Sequence, residues 1–137
     1  MISQVEITLR ALSRGFHLVT DDIVAALPPL PSTGVLHIFV KHTSCGLCLG
    51  ENYDPDVRGD LATIFNTLVP EDDPRYAHTL EGPDDMPAHA KSALTGTSLT
   101  IPITRHRLNL GTWQGIYLAE FRNHGGPRKL VLTIIAE

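Results

Sequence analysis

Seven histidines punctuate the chain, and three of them, His42, His78 and His89, stand beside carboxylates or hydroxyls at the ends of expected elements. Imidazole binds metals and moves protons near neutral pH. Three such rings with an open coordination position are a known way to hold a catalytic divalent ion. The same rings can instead cradle a phosphate, or act as acid and base with no metal. We expect these three to converge. His37 lies inside an apolar strand, His106 in a basic turn and His124 in a glycine-rich loop, so ordinary hydrogen-bonding roles are expected there; His17 is a weaker candidate.

The acids sort in a similar way. Asp54 precedes Pro55 and reads as the cap of a helix, because a capping carboxylate stabilises a helix start by about 1 kcal/mol. Asp56 suits the positive end of that helix. Glu51, Asp60 and Asp85 are the acids expected to do chemistry. Asp85 and His89 are four apart on an expected helix, hence on one face, where the carboxylate can orient the ring. The stretch from His42 to Asp60 also carries Ser44 and Asn52, and is expected to form one wall of a site. Trp113 is expected in the core, on area grounds. Gln114, on the other side of its strand, would then face the cleft.

The two cysteines, Cys45 and Cys48, have C-x-x-C spacing. A tetrahedral zinc site needs more ligands, and no second pair exists. On a strand the two thiols would point to opposite faces. Buried, reduced thiols are the expected reading.

These residues need a scaffold. With 137 residues, 42% apolar and 19% charged, the chain suits one domain over residues 1–137 with one core. A net charge of −4 argues against broad nucleic-acid binding. No apolar run is long enough to span a membrane, and MISQVEITLR has no signal-peptide pattern, so a cytoplasmic location is expected. Gln4–Arg10 alternates as a half-buried strand, Phe16–Val19 is a short strand, and Asp21 or Asp22 opens a short helix. Prolines make 28–34 a loop. Val35–Val40 is strand-like. Behind Asp54-Pro55 the residues Val57, Leu61, Ile64, Phe65 and Leu68 recur at helical spacing. A second helix starts at Asp84 or Asp85 and ends at Gly96. Ser98–Ile103, Thr112–Phe121 and Leu130–Ala136 complete the β content, with Asn123–Pro127 as a hairpin-type loop. Pro102 points to a sheet edge or bulge. The order predicts an α+β fold with a mostly antiparallel sheet or sandwich and two main helices.

The blocks SRGFHLVTDDI, KHTSCGL, ENYDPDVRGD, EGPDDMPAHAKSALTGTSL, GTWQGIYLAEFR and HGGPRKLVLTI span nearly the whole chain. Together they resemble the YjbQ-like family. That resemblance implies a small α+β sandwich that trimerises around a threefold axis, with polar motifs in a cleft near the subunit boundaries. It implies a thiamine-phosphate synthase-like transferase, joining hydroxymethylpyrimidine diphosphate to thiazole phosphate and releasing pyrophosphate. A leaving pyrophosphate calls for cations, either Mg²⁺ held by carboxylates or basic side chains. Within the matching motifs these would be Lys91, Arg58 and Arg122. Glu51, Asp60, Asp85 and Lys91 are then the expected catalytic groups. Ser44, Asn52, Arg58, Gln114 and Arg122 would bind substrate, and His42, His78 and His89 would bind metal: zinc at the histidines, or magnesium with the diphosphate. No organic cofactor is expected, and the partners are further copies of the chain and a small phosphorylated metabolite. Tyr53 and Cys48 stand where the family favours smaller residues. A non-catalytic phosphometabolite- or metal-binding protein and a metal-assisted phosphoester hydrolase are the alternatives.

Overall fold

The structure is a computed structural model describing residues 1–137. Its elements run β1 (Ile2–Leu9), β2 (Gly15–Leu18), α1 (Thr20–Ala26), β3 (Thr33–Val40), β4 (Cys45–Glu51), α2 (Pro55–Leu68), α3 (Asp85–Thr95), β5 (Ser98–Thr104), β6 (Arg107–Leu108), β7 (Gln114–Glu120) and β8 (Arg128–Ile135). The strands form two antiparallel sheets, ordered β1-β8-β3-β5-β6 and β2-β7-β4. The α+β class and the two main helices are as the sequence predicts.

Alternation decides which faces meet. Leu36, Ile38 and Val40 of β3, Ile101 and Ile103 of β5, and Leu130, Leu132 and Ile134 of β8 are buried on one side of the large sheet. They pack against Cys45, Leu47, Ile116 and Leu118 of the small sheet. The opposite side of the small sheet carries Phe16, Tyr117, Ala119 and Phe121, covered by Ala88 of α3 and by Leu61, Ala62 and Phe65 of α2. The layers are therefore large sheet, small sheet, helices. β7 lies in the middle layer and is buried from Gly115 to Glu120.

Three expectations need correction. The first concerns the stretch from His42 to Asp60, expected as one wall of a site with no strand assigned to it: Cys45–Glu51 of it form β4. Two glycines disguise it, and packing explains both: a Cβ at Gly46 would overlap the Thr95 hydroxyl of α3, and one at Gly50 would strike the Tyr117 ring. The second concerns Asn123–Pro127, which is no hairpin. It carries the chain from β7 in the small sheet to β8 in the large one. The third concerns Ile64 and Leu68, which share the helical spacing of Leu61 and Phe65 yet are exposed. Pro102 lies in β5, next to the two-residue edge strand β6, and its carbonyl accepts from Asn109 N. No helix is long and apolar enough to cross a membrane.

Candidate functional site

The start of α3 builds the densest polar constellation. Asp84 occupies the N-cap position, but its side chain caps nothing. Its Oδ2 accepts instead from Arg122 Nε at 3.0 Å and from Asn123 N at 2.9 Å. Asp85 follows in the first turn and is 4% exposed. Arg122 Nη1 donates to its Oδ1 at 2.5 Å, and Arg122 Nη2 donates to the Glu81 carbonyl. The loop after β7 thus clamps the helix start to the small sheet.

The other Asp85 oxygen faces two imidazoles. Oδ2 lies 2.6 Å from His78 Nε2 and 3.0 Å from His89 Nε2. His89 Nδ1–H donates to the Thr43 carbonyl at 2.8 Å, which fixes the ring. In a neutral His89 this leaves a lone pair on Nε2, aimed at a carboxylate oxygen. Two lone pairs repel, so a proton or a metal cation must lie between them. One donor atom each from His78, Asp85 and His89 falls within 4.8 Å of the others. Such a set of two imidazoles and one carboxylate fits a first-row divalent ion and leaves coordination positions open.

Burial pushes the Asp85 carboxyl up, but the His78 hydrogen bond and the charges on His89 and Arg122 outweigh it and hold the group below its usual value. The same balance, with Asn123 N and Arg122 as partners, lowers Asp84. A cavity of about 280 Å³ lies alongside, walled by Asp73, Tyr76, His78, Pro83 and Met86.

The expected third ring is elsewhere. His42 Nε2 accepts from Lys129 N at 2.8 Å. Burial, then the Arg128 charge, lowers its pKa and favours the neutral ring. So the chain gathers His78, His89, Asp85 and Arg122, but not His42.

The remaining candidates are placed one by one. Ser44 is buried, its hydroxyl accepting from Arg128 Nη2 at 3.0 Å. Glu51 accepts from the backbone N–H groups of Tyr53 and Asp54, bracing the entry to α2, while Asp54 caps Asp56 N. Asn52 Nδ2 donates to the carbonyls of Thr112 and Gln114, and Gln114 Oε1 accepts from Gly111 N, so both amides staple one loop. Asp60 is exposed on α2. Arg58 borders a separate small cavity with Arg10, His17 and Asp22, and its buried Nη1 has no partner. Trp113 corrects the core expectation: it is 61% exposed and meets the 75% exposed Tyr53 edge-on at 5.7 Å. The stapled loop ends before β7 begins, so Trp113 never enters the strand alternation. Cys45 and Cys48 do fall on opposite faces of β4, and burial raises both thiols to about 11.

Lys91 is 1% exposed, donates to Asn66 Oδ1 at 2.7 Å and lies 5.8 Å over the Phe121 ring. Burial, then repulsion from Arg14, lowers its pKa from 10.5 to about 8. The unfolded chain therefore holds this proton across a window where the folded chain has lost it. Stability gains with rising pH between about 8 and 10.5, by a contribution on the order of 3 kcal/mol. Lys91→Met removes that slope. Urea unfolding at a series of pH values checks it, and an unchanged slope contradicts it.

Two groups of the site are absent from the sequence expectations: Asp84, expected only as a cap, and the Thr43 carbonyl. The first had a signal in the Asp84-Asp85 doublet; a backbone carbonyl has none.

A family model described as UPF0047 protein YjbQ-like matches residues 5–137. The chain is 52% identical over 133 residues to the UPF0047 protein YjbQ of Salmonella typhimurium, covering 96% of each. It is 49% identical over 136 residues to the Escherichia coli protein of that name, covering 98% of each. Among solved structures, a conserved hypothetical protein of Thermus thermophilus superposes with a TM-score of 0.81 at 38% identity, over 94% of this chain and 97% of that one.

Proposed function

Since this chain belongs to the YjbQ-like UPF0047 family, we propose that it is a small-molecule transferase working on phosphorylated substrates, with thiamine-phosphate synthesis as the specific reaction. One observation carries the reading: two imidazoles and a buried carboxylate meet at one point, with the His89 tautomer fixed by Thr43. His78, Asp85 and His89 would hold a divalent cation, and the imidazole donors favour zinc over magnesium. Bound there, such a cation supplies positive charge for a departing diphosphate. Arg122 holds Asp85 by the oxygen that the rings leave free, and so fixes the direction of the donor set. The neighbouring cavity at Tyr76 and Met86 offers a place for the organic part of a substrate.

The family resemblance supports a homotrimer. Val35, His37 and Phe39 of β3 point away from the core, and register sets them beside Ile135, Thr133 and Val131 of β8. Phe39 and Ile135 are exposed, and this largely apolar sheet face is where further copies would pack. A one-subunit mass in light scattering removes the trimer from the proposal.

The reaction is tested by incubation with hydroxymethylpyrimidine diphosphate and thiazole phosphate. Thiamine phosphate and pyrophosphate are expected in equal amounts, with a loss of about a hundredfold or more in His89→Gln. Unchanged turnover in that variant rejects the assigned centre. A metal-assisted phosphoester hydrolase is the second reading, because the His78 side of the cluster is open to water. Phosphate release from simple esters with no coupled product favours it.

A further inference from the structure

A further cavity, of about 340 Å³, opens between β2, β7 and α2. None of the expected site residues lines it. Three of its walls are aromatic. Phe65 and Phe121 lie nearly parallel with centroids 5.8 Å apart, and Phe16 meets them at 5.2 and 5.9 Å. Ala62 keeps the helix wall low.

The rim is polar and specifically arranged. Asn66 Oδ1 accepts from Arg14 Nη2 at 2.8 Å and from Lys91 Nζ at 2.7 Å. Two cations on one oxygen fix which way the amide points. Its Nδ2 donates to no group of the chain, so two N–H donors remain for a guest. Arg14 and Lys91 bring two positive charges; Glu71 pairs with Arg14, and Asp84, the other carboxylate acting on Lys91, is held by Arg122. Glu120 also borders the cavity, but its charge is already met by Arg128.

We propose that this cavity binds a small planar aromatic or heteroaromatic compound bearing one anionic group, a phosphate or a carboxylate. The ring would lie against the Phe16–Phe65–Phe121 cluster from the cavity side, where edge and face contacts favour a flat π system. The anion would take the Asn66 Nδ2 donors and the field of Arg14, as charge-assisted hydrogen bonds. The volume lies in the range of small-ligand sites. Binding here requires neither a metal nor turnover, so the proposal stands apart from the reading of the His78–Asp85–His89 centre. The two places are nonetheless joined by three consecutive residues. Phe121 lines the cavity, Arg122 grips Asp84 and Asp85, and Asn123 Oδ1 accepts from Arg14 at 3.5 Å.

Titration of the ¹⁵N-labelled full chain with phenyl phosphate tests this, with benzoate, benzyl alcohol and inorganic phosphate as parallel arms. Saturable shifts are expected at the amides of Gly15, Phe16, Phe65 and Phe121 with phenyl phosphate, benzoate or both, and the stronger of these two identifies the preferred anion. Benzyl alcohol and inorganic phosphate, each carrying half of the recognition, should bind about tenfold more weakly or worse. Asn66→Asp keeps an acceptor for Arg14 and Lys91 but replaces the free donors with a carboxylate oxygen. It should weaken phenyl phosphate and benzoate binding by about tenfold or more while leaving the rest of the spectrum in place. Ala62→Trp should fill the cavity and abolish the shifts. Three results overturn the proposal: no saturable shift at these amides, shifts confined to the neighbourhood of His78 and His89, or inorganic phosphate binding as tightly as the ring compounds.

Discussion

Asp85→Ala is expected to abolish the divalent-cation binding proposed above and to cost the fold about 3–5 kcal/mol, the loss expected when one partner of a buried charge network is removed. Asp85 is 4% exposed, accepts from Arg122 through one oxygen and faces His78 Nε2 and His89 Nε2 with the other. Without it the Arg122 guanidinium keeps Asp84 but loses its second carboxylate, and the rings lose the group that draws them together. His89→Gln separates the two effects. That ring is one-third exposed, so its removal should cost only about 1 kcal/mol or less while still losing the cation. Zinc titration by calorimetry, beside urea unfolding, reads both quantities. Equal zinc affinity in wild type and Asp85→Ala defeats the metal assignment whatever the stability shows. The wild-type network has its own pH signature. The Asp85 carboxyl is lowered in the fold, so its stabilisation is present above the ordinary value of 3.8 and lost as pH falls below it.

The second large effect lies between the two sheets. Glu120 on β7 and Arg128 on β8 are both buried and meet in a bidentate pair, with Arg128 Nε 2.7 Å from Oε1 and Nη2 2.5 Å from Oε2. Ser44 completes the guanidinium shell through its hydroxyl and carbonyl. Glu120→Leu should destabilise by about 3–5 kcal/mol, because it leaves a guanidinium in the core with no counter-charge. That is a large share of the roughly 5–15 kcal/mol that holds a domain together. The double variant Glu120→Leu/Arg128→Met should recover most of the loss, since apolar groups of similar volume replace a pair whose desolvation nearly cancels its attraction. Urea midpoints of the two variants decide it. A double variant no more stable than the single one would show the pair to be strongly stabilising in its own right.

What was legible in the sequence follows from how local each signal is. The Asp54-Pro55 start of α2, the Gly96 end of α3 and the strand character of β1, β3, β5 and β8 are written in neighbouring residues, and the structure reproduces them. The i, i+4 pairing of Asp85 and His89 is equally local and forms as expected. What failed was set by contacts distant along the chain. β4 carries no strand signal of its own because its glycines answer to Thr95 and Tyr117. Trp113 looks like core because its size favours burial, but the loop stapled by Asn52 and Gln114 turns it outward. His42 stands next to Thr43, which binds His89, yet its ring serves the backbone of Lys129 across the chain. His78 sits in a loop outside any periodic pattern, and only folding brings it within 2.6 Å of Asp85.

β7 has no side turned to water. Each of its residues from Gly115 onward answers to one packed layer or the other, so a change in side-chain size there cannot be relieved by swinging outward. Diversification within this architecture is thus channelled away from the central ribbon. It is left to the helices and loops, where Ile64, Leu68, Tyr53 and Trp113 already face solvent and can vary without disturbing either core.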